Sequence, residues 1–314
     1  MGLFSGKCRS TARLDGKTVI ITGSNTGIGK TTARDLFKRG AHVIMACRNT
    51  NKAKEAAQEI CNLHNNSNNH KDLGKLEVVE LNLCSLHSIR ECSKEILQKQ
   101  RRIDILINNA GVMCCPYGKT EDGFEIQFSS NYLGHFLFTI LLLPRIIESK
   151  SARIINVSSV AHKMGKIDFN DLNWESKPYS ALEAYQQSKL CQVLFTRELH
   201  RQLREAHVEG VNVYSLHPGV ITTELGRHLN KTYFFGLRWI LSFVRVFFKT
   251  PKQGAQTTVY CAVDEIAGEE SGLYYADCKP VKPSKNAENV ANAKMLWKIS
   301  LEMVNLPKYN PFTV

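Results

Sequence analysis

Near the start of the chain, Thr22-Gly23-Ser24-Asn25-Thr26-Gly27-Ile28-Gly29 sets three glycines between an apolar run, residues 17–22, and a helix-forming stretch, residues 30–37. Strand, glycine-punctuated turn and helix admit few folds, because the chain must reverse tightly and then cover one face of the strand it has just left. The same arrangement leaves free N–H groups and the positive end of a helix dipole beside a backbone that a pyrophosphate can approach closely. A plain strand-to-helix connection is the alternative reading of the glycines.

The rest of the chain repeats the alternation. Residues 41–47, 76–81, 103–107, 153–157 and 211–216 read as strands, and 52–60, 88–98 and 184–203 as helices. This order predicts an α/β fold of three layers: one doubly wound parallel sheet of Rossmann type with helices on both faces. Such a sheet presents its site residues at the C-terminal ends of the central strands. The apolar run 131–143 contains His135 and is too short to cross a bilayer, which predicts a buried core helix. The polar stretch 62–70 has no apolar periodicity and reads as a solvated loop insertion. No repeat or linker divides the 314 residues, so residues 14–314 are expected to form one domain after an N-terminal extension, 1–13.

The ten cysteines have no CxxC pairs, no zinc-finger rhythm and no secretory signal before them, which implies reduced thiols and no metal site. The net charge of +12 comes from dispersed Lys and Arg, with no basic run and no aromatic RNA platform. This argues against nucleic acid and for an anionic membrane surface or a phosphorylated cofactor as partner.

Tyr185 and Lys189 stand at i and i+4 on one helix face, so the ammonium is expected to sit near the phenol and favour its ionised form. That turns a phenol of reference pKa about 10 into an acid or base usable at neutral pH. A Tyr and a Lys at this spacing also occur by chance on solvated helices.

Taken with the glycine turn, Asn108-Asn109-Ala110-Gly111, Asn131 in Asn-Tyr-Leu-Gly-His-Phe, Ser159 in Asn-Val-Ser-Ser and His217-Pro218-Gly219, the chain resembles the short-chain dehydrogenase/reductase family. The resemblance runs from about Leu14 to about Ala276. Within the family, the wording Asn-Thr-Gly-Ile-Gly-Lys, Ala-Cys-Arg, Val-Ser-Ser-Val-Ala-His and Gln-Ser-Lys-Leu is closest to the retinol dehydrogenase group numbered 11 to 14.

The resemblance implies hydride transfer between a nicotinamide and a carbonyl or alcohol carbon. Tyr185 is then the proton donor and acceptor, and Lys189 stabilises the tyrosinate and binds the ribose. Ser159 hydrogen-bonds the substrate oxygen, and Asn131 holds a water that connects Lys189 to solvent. Ser158 competes with Ser159, which matches the second serine of the family's motif. The 185 − 159 = 26 residue separation resembles the retinol dehydrogenase group, where an insertion such as 163–184 intervenes. The same resemblance assigns cofactor contacts to Gly23, Ser24, Asn25, Thr26, Gly27, Ile28, Gly29, Arg48, Asn82, Leu83, Asn109, Ala110, Gly111, Pro218, Gly219 and Thr223, besides Tyr185 and Lys189.

Cofactor choice turns on the end of the second strand, where an acidic residue would bind a ribose 2′-hydroxyl. Here Cys47 is followed by Arg48, which predicts NADP(H) with Arg48 on the 2′-phosphate. Two departures bear on this. Thr26 replaces the Lys or Arg of many NADP-using relatives, and Asn82 replaces the usual Asp that meets the adenine amino group, although its carbonyl can accept the same hydrogen bond.

The expected substrate is a small lipophilic aldehyde or alcohol, retinal or retinol first, with steroids or medium-chain aldehydes as the alternative. A non-catalytic NADP-binding scaffold is the competing class, and it predicts loss of one of Asn131, Ser159, Tyr185 or Lys189, all of which are present. The aromatic run 233–248 falls where the family places its substrate loop, giving an expected lid near 222–250 that could also dip into lipid. Relatives in the group carry an N-terminal hydrophobic anchor, whereas residues 1–14 are too short and polar to span; Gly2 begins a near-match to a myristoylation signal, and Cys8 is a candidate for palmitoylation. The expected place is the cytoplasmic face, peripheral on an intracellular membrane such as the endoplasmic reticulum and not secreted. A homodimer is allowed by resemblance, though the outer helix faces show no decisive apolar stripe.

Overall fold

The computed structural model describes residues 6–64, 73–219 and 249–312. The expected lid, Thr223, the 233–248 run and most of the 62–70 insertion lie outside them. Eight strands form one sheet in the order β3-β2-β1-β4-β5-β6-β7-β8. They are β1 Thr18–Thr22, β2 His42–Cys47, β3 Lys75–Glu80, β4 Ile105–Asn108, β5 Ala152–Val157, β6 Val211–Leu216, β7 Leu273–Ala276 and β8 Lys279–Pro280. All neighbours are parallel except the antiparallel β7 and β8. The strand order reverses between β1 and β4, which makes their C-terminal ends the crevice where such sheets bind ligands.

The central strands are covered on both faces, and their sequences are accordingly apolar throughout, as in Thr-Val-Ile-Ile-Thr of β1, where every residue is buried. Alternation sorts the side chains into two cores. Ile20, Ile44, Leu106, Ile154 and Val213 join one cluster, and Val19, Ile21, Val43, Ile107, Ile155 and Tyr214 the other. The second core is closed by α1 Gly27–Lys38 and by a later helix, Pro251–Val263.

The first core is closed by α3 Leu86–Lys99, α4 Ile126–Glu148 and α5 Ala181–Glu205, while α2 Thr50–Asn62 follows β2. Helix α4 is long and apolar enough to cross a membrane, yet its most apolar window is 89% buried inside the protein, so it is the core helix that its composition predicts. It is also longer than the apolar run that announced it. With Pro251–Val263 as α6, the last helix is α7, Val290–Met303. It packs on α4 and α5 through Trp297, whose ring lies 5.3 Å from Phe136 and 6.1 Å from Phe195, and the Tyr132 hydroxyl meets Ser300 Oγ at 2.7 Å. The aromatic face of α4 and α5 is therefore covered within the chain. Trp297→Ala removes the centre of this contact and is expected to lower unfolding free energy by about 3–5 kcal/mol in a urea titration, with little effect on cofactor affinity.

Residues 6–10 lie along α6 and the β7–β8 turn, with Cys8 N–H donating to Gln256 Oε1 at 3.2 Å and Gly6 N–H to Asp277 Oδ1 at 3.3 Å. Cys8 is buried in the second core, so a lipid could be attached there only after this segment detached. None of the ten cysteines is joined in a disulfide, and among the described residues no group of three His, Cys, Asp or Glu is placed to hold a metal.

Candidate active site

The site lies at the C-terminal ends of β1, β4, β5 and β6. At β1 the chain turns through Gly23 at φ 64° and Gly27 at φ 56°, left-handed values that cost glycine little. A Cβ on Gly23 would stand 2.8 Å from Ala110 Cβ, so the glycine turn and the Asn109–Gly111 loop require each other's small size. Thr26 precedes α1 without capping it through its side chain, and the first turn of α1 carries no acidic residue. The helix therefore offers uncapped N–H groups and a positive dipole end to an anion, and this cradle fits the pyrophosphate of a dinucleotide.

At the end of β2, Cys47 Sγ lies 3.7 Å from Ser24 Oγ, which sets Arg48 beside the glycine turn with its side chain exposed. Burial raises the Cys84 thiol, and the Arg48 guanidinium is the strongest influence in the other direction, which places Arg48 near the Asn82–Cys84 loop as well. Asn82 Oδ1 accepts from Cys84 N–H at 3.2 Å, and one of its lone pairs remains. Leu83 is buried, and its carbonyl accepts from Ser129 Oγ at 3.3 Å.

Tyr185 and Lys189 are both buried on α5 and face the end of β5. The Ser159 side chain lies near the Tyr185 phenol and favours its ionised form, and Lys189 Nζ donates to the Val157 carbonyl at 3.0 Å. Ser158 turns the other way and donates to the Lys189 carbonyl at 2.7 Å, so only Ser159 meets the phenol. Asn131 lies in a π-helical turn, Ser129–Leu133, within α4. Its side chain accepts from Val112 N–H at 2.8 Å and donates to the Val112 carbonyl at 2.9 Å and to Ser188 Oγ at 2.8 Å. These bonds clamp the loop that carries Asn109, Ala110 and Gly111. A Cβ on Gly111 would lie 3.2 Å from Asn131 Oδ1 and 3.4 Å from Lys189 Nζ. After β6, Pro218 is buried and Gly219 takes φ 94°, its N–H donating to His217 Nδ1 at 3.1 Å.

The electrostatics differ from those expected of a Tyr and Lys one helical turn apart. Burial pushes the Tyr185 phenol up to about 12 and the Lys189 ammonium down to about 8. Desolvation disfavours each charged form, and the Val157 carbonyl draws the ammonium to the strand, leaving Nζ 5.8 Å from the phenol ring centre. In the free protein, then, the phenol holds its proton more firmly than an exposed tyrosine does, opposite to the expected promotion of tyrosinate.

Beneath the site, buried side chains tie sheet to helices. Asn108 Nδ2 donates to Thr139 Oγ1 at 2.9 Å and to Asn156 Oδ1 at 2.8 Å, and Asn156 Nδ2 donates to Thr196 Oγ1 at 2.9 Å. His162, three residues past Ser159, donates through Nδ1 to the Ser159 carbonyl at 2.8 Å and accepts at Nε2 from Ser284 N–H at 3.2 Å. Its signal in the sequence, the histidine of Val-Ser-Ser-Val-Ala-His, carries no chemistry until the distant Ser284 is placed beside it.

Fold and site together define a class, and the chain belongs to the short chain dehydrogenase family, whose profile it matches over residues 17–233. It is an oxidoreductase acting on CH–OH groups with a nicotinamide cofactor. The similarity reaches well beyond the family core. Retinol dehydrogenase 13 of Mus musculus is 47% identical over 303 residues, covering 96% of this chain and 87% of the relative. Retinol dehydrogenase 12 of Homo sapiens is 47% identical over 301 residues, covering 96% and 90%. Among solved structures, an uncharacterized protein from Mycobacterium Paratuberculosis superposes with TM-score 0.73 at 35% identity, covering 94% of this chain and 95% of its own.

Proposed function

We propose that this protein is an NADP(H)-dependent oxidoreductase that interconverts a lipophilic aldehyde and its alcohol, with retinal and retinol as the substrate pair. The observation that carries the reading is the buried pair Tyr185 and Lys189, with the half-buried Ser159 at the end of β5 beside the phenol. Similarity to retinol dehydrogenases over nearly the whole chain supports the substrate class. So do the exposed apolar side chains that flank the trio in the chain: Val160 beside Ser159, Met164 at 65% exposure, and Leu182 three residues before Tyr185.

When bound, the nicotinamide supplies the hydride for reduction of the carbonyl carbon or takes it up in oxidation. Tyr185, kept protonated by burial, donates its proton to the carbonyl oxygen as negative charge develops there. Ser159 hydrogen-bonds the same oxygen and aligns the phenol. Lys189 binds the ribose and brings positive charge to the phenol as it loses its proton; Asn131 fixes the loop on which the ribose rests. Gly23, Ser24, Asn25, Thr26, Gly27, Ile28 and Gly29 hold the pyrophosphate. Asn82 and Leu83 bound the adenine, Asn109, Ala110 and Gly111 the ribose side, and Pro218 and Gly219 the nicotinamide. Arg48 binds the 2′-phosphate, and no acidic side chain stands at the end of β2 to repel it. The excess of +12 charges suits a protein resting on an anionic cytoplasmic membrane surface, where such a substrate dissolves.

The reading is tested by NADPH oxidation with all-trans-retinal beside a short aliphatic aldehyde. Turnover of retinal at the higher kcat/KM is expected, and turnover of the aliphatic aldehyde alone would remove the retinoid assignment. A charge-assisted hydrogen bond contributes roughly 1.5–3 kcal/mol, so Arg48→Ala is expected to weaken NADPH binding about 10- to 100-fold. Binding of NADH should change by less than about threefold, as measured by quenching of protein fluorescence.

A further inference from the structure

The fully buried His135 lies one helical turn past Asn131 and takes no part in the chemistry above. Hydrogen-bond accounting fixes its state. Thr22 Oγ1 accepts from Asn109 N–H and from Ala110 N–H, each at 2.9 Å, which fills both lone pairs of the hydroxyl. The hydroxyl proton is left to donate to His135 Nε2, 2.8 Å away. The ring proton must then sit on Nδ1, which donates to the Asn131 carbonyl at 3.0 Å. Gln192 Nε2 also lies 3.2 Å from Nδ1, but its shorter contact is to the same Asn131 carbonyl, to which it donates, so Nδ1 keeps its own proton for that carbonyl. Protonating Nε2 would set two donors against each other at Thr22, so the network is satisfied only by a neutral ring; burial acts in the same direction and holds the imidazole down to about 3.

These bonds close a ring. Thr22 holds Asn109 and Ala110 at one end of the cofactor-side loop, and the Asn131 side chain holds Val112 at the other. His135 joins the two anchors, and Gly111 lies between them beside Lys189. We propose that His135 is a positioning residue that, through its Nδ1–H bond to the Asn131 carbonyl, sets loop 109–112 against Lys189 and so places the cofactor for reaction. Neither anchor alone fixes the loop, since Thr22 belongs to β1 and Asn131 to α4, and His135 is the side chain that touches both.

The test compares three substitutions in the full chain. In His135→Asn the amide nitrogen falls near the position of Nδ1 and keeps the donor to Asn131. In His135→Gln the amide falls near Nε2 and keeps only the Thr22 side, and His135→Leu keeps neither. Hydrogen exchange of a peptide spanning residues 107–113, read by mass spectrometry on the protein without cofactor, is expected to quicken at least about tenfold in the Leu and Gln variants and to stay within about threefold of wild type in Asn. Because a displacement of about 1 Å in a reacting group can cost about 100-fold in rate, kcat is expected to fall by about that factor in Leu and Gln with KM for the carbonyl little changed, and to be largely retained in Asn. Unaltered exchange in a folded Leu variant would overturn the proposal. If Leu does not fold, the other two decide it: Asn protected and Gln exposed is the expected order, and equal or reversed exchange contradicts it. The kinetic arm rests on the proposed reaction and the exchange arm does not, so a wrong substrate would leave the exchange result standing.

Discussion

Tyr185→Phe is expected to lower kcat about 10³-fold while leaving NADPH affinity within about twofold of wild type, because a positioned proton donor contributes about 10²–10⁴ in rate and the ring keeps its packing. The phenol is fully buried and held near 12, so no exposed acid replaces it within the neutral range. Its loss should also abolish any pH dependence of kcat that arises from the Tyr185 and Lys189 pair. Stability should change little, since the ring keeps its packing and the neighbouring Ser159 oxygen keeps the Ala161 N–H at 3.2 Å. Parallel steady-state and urea titrations read both quantities. Retention of more than a tenth of the wild-type kcat would assign the proton to another group.

Lys189→Met should separate activity from stability more sharply. Lys189 is buried and its ammonium is held at about 8, against an ordinary value of 10.5, so at pH 7 the folded protein keeps a charge that burial disfavours. Removing it costs the hydrogen bond to Val157 yet relieves that desolvation, and a net gain of about 1–2 kcal/mol at pH 7 is expected beside a kcat loss of at least about 100-fold. The pH dependence has a definite sign. The folded lysine releases its proton near pH 8 and the unfolded one near 10.5, so between these values the unfolded state binds more protons and wild-type stability climbs with pH. Tyr185 opposes this only above about pH 10, where the unfolded phenol ionises and the folded one, at about 12, does not. Wild type should therefore gain on Lys189→Met between pH 8 and 10 in urea unfolding. A constant difference across that window would contradict the buried-ammonium account.

The parts of this molecule legible in the sequence are those set by local backbone chemistry. The glycines at 23, 27 and 29, the apolar strands β1, β2 and β4, and the i, i+4 spacing of Tyr185 and Lys189 express constraints contained within a few residues. Both β2 and α2 fall within two residues of their expected ends. Strands β7 and β8 span four and two residues, too short to show a period, and α7 shows its purpose only once Trp297 meets Phe136. The π-helical turn at Asn131 has no composition of its own. His135 reads as one more core residue because its partner Thr22 is 113 positions away. The electrostatics of Tyr185 were the least legible, because spacing brings a lysine near a phenol but does not reveal how completely the fold removes both from water.

These observations describe a site built in layers. The sheet delivers Thr22, Asn108 and Asn156 to one buried edge, which α4 and α5 grip through His135, Thr139 and Thr196. Beside that edge lies the loop 109–112, held by Thr22 and Asn131. The polar layer is buried in the core, where an unpaired group would be costly, and this restricts how α4 and α5 can seat on the sheet.

The most direct measurement is isotope transfer. Purified protein would be incubated with all-trans-retinal and NADPH bearing deuterium at nicotinamide C4, each epimer in turn, and the alcohol analysed by mass spectrometry. One added mass unit on the carbinol carbon from one epimer alone, absent with Tyr185→Phe, is the predicted result. Alcohol without deuterium from either epimer, or no alcohol despite demonstrated NADPH binding, would contradict the account.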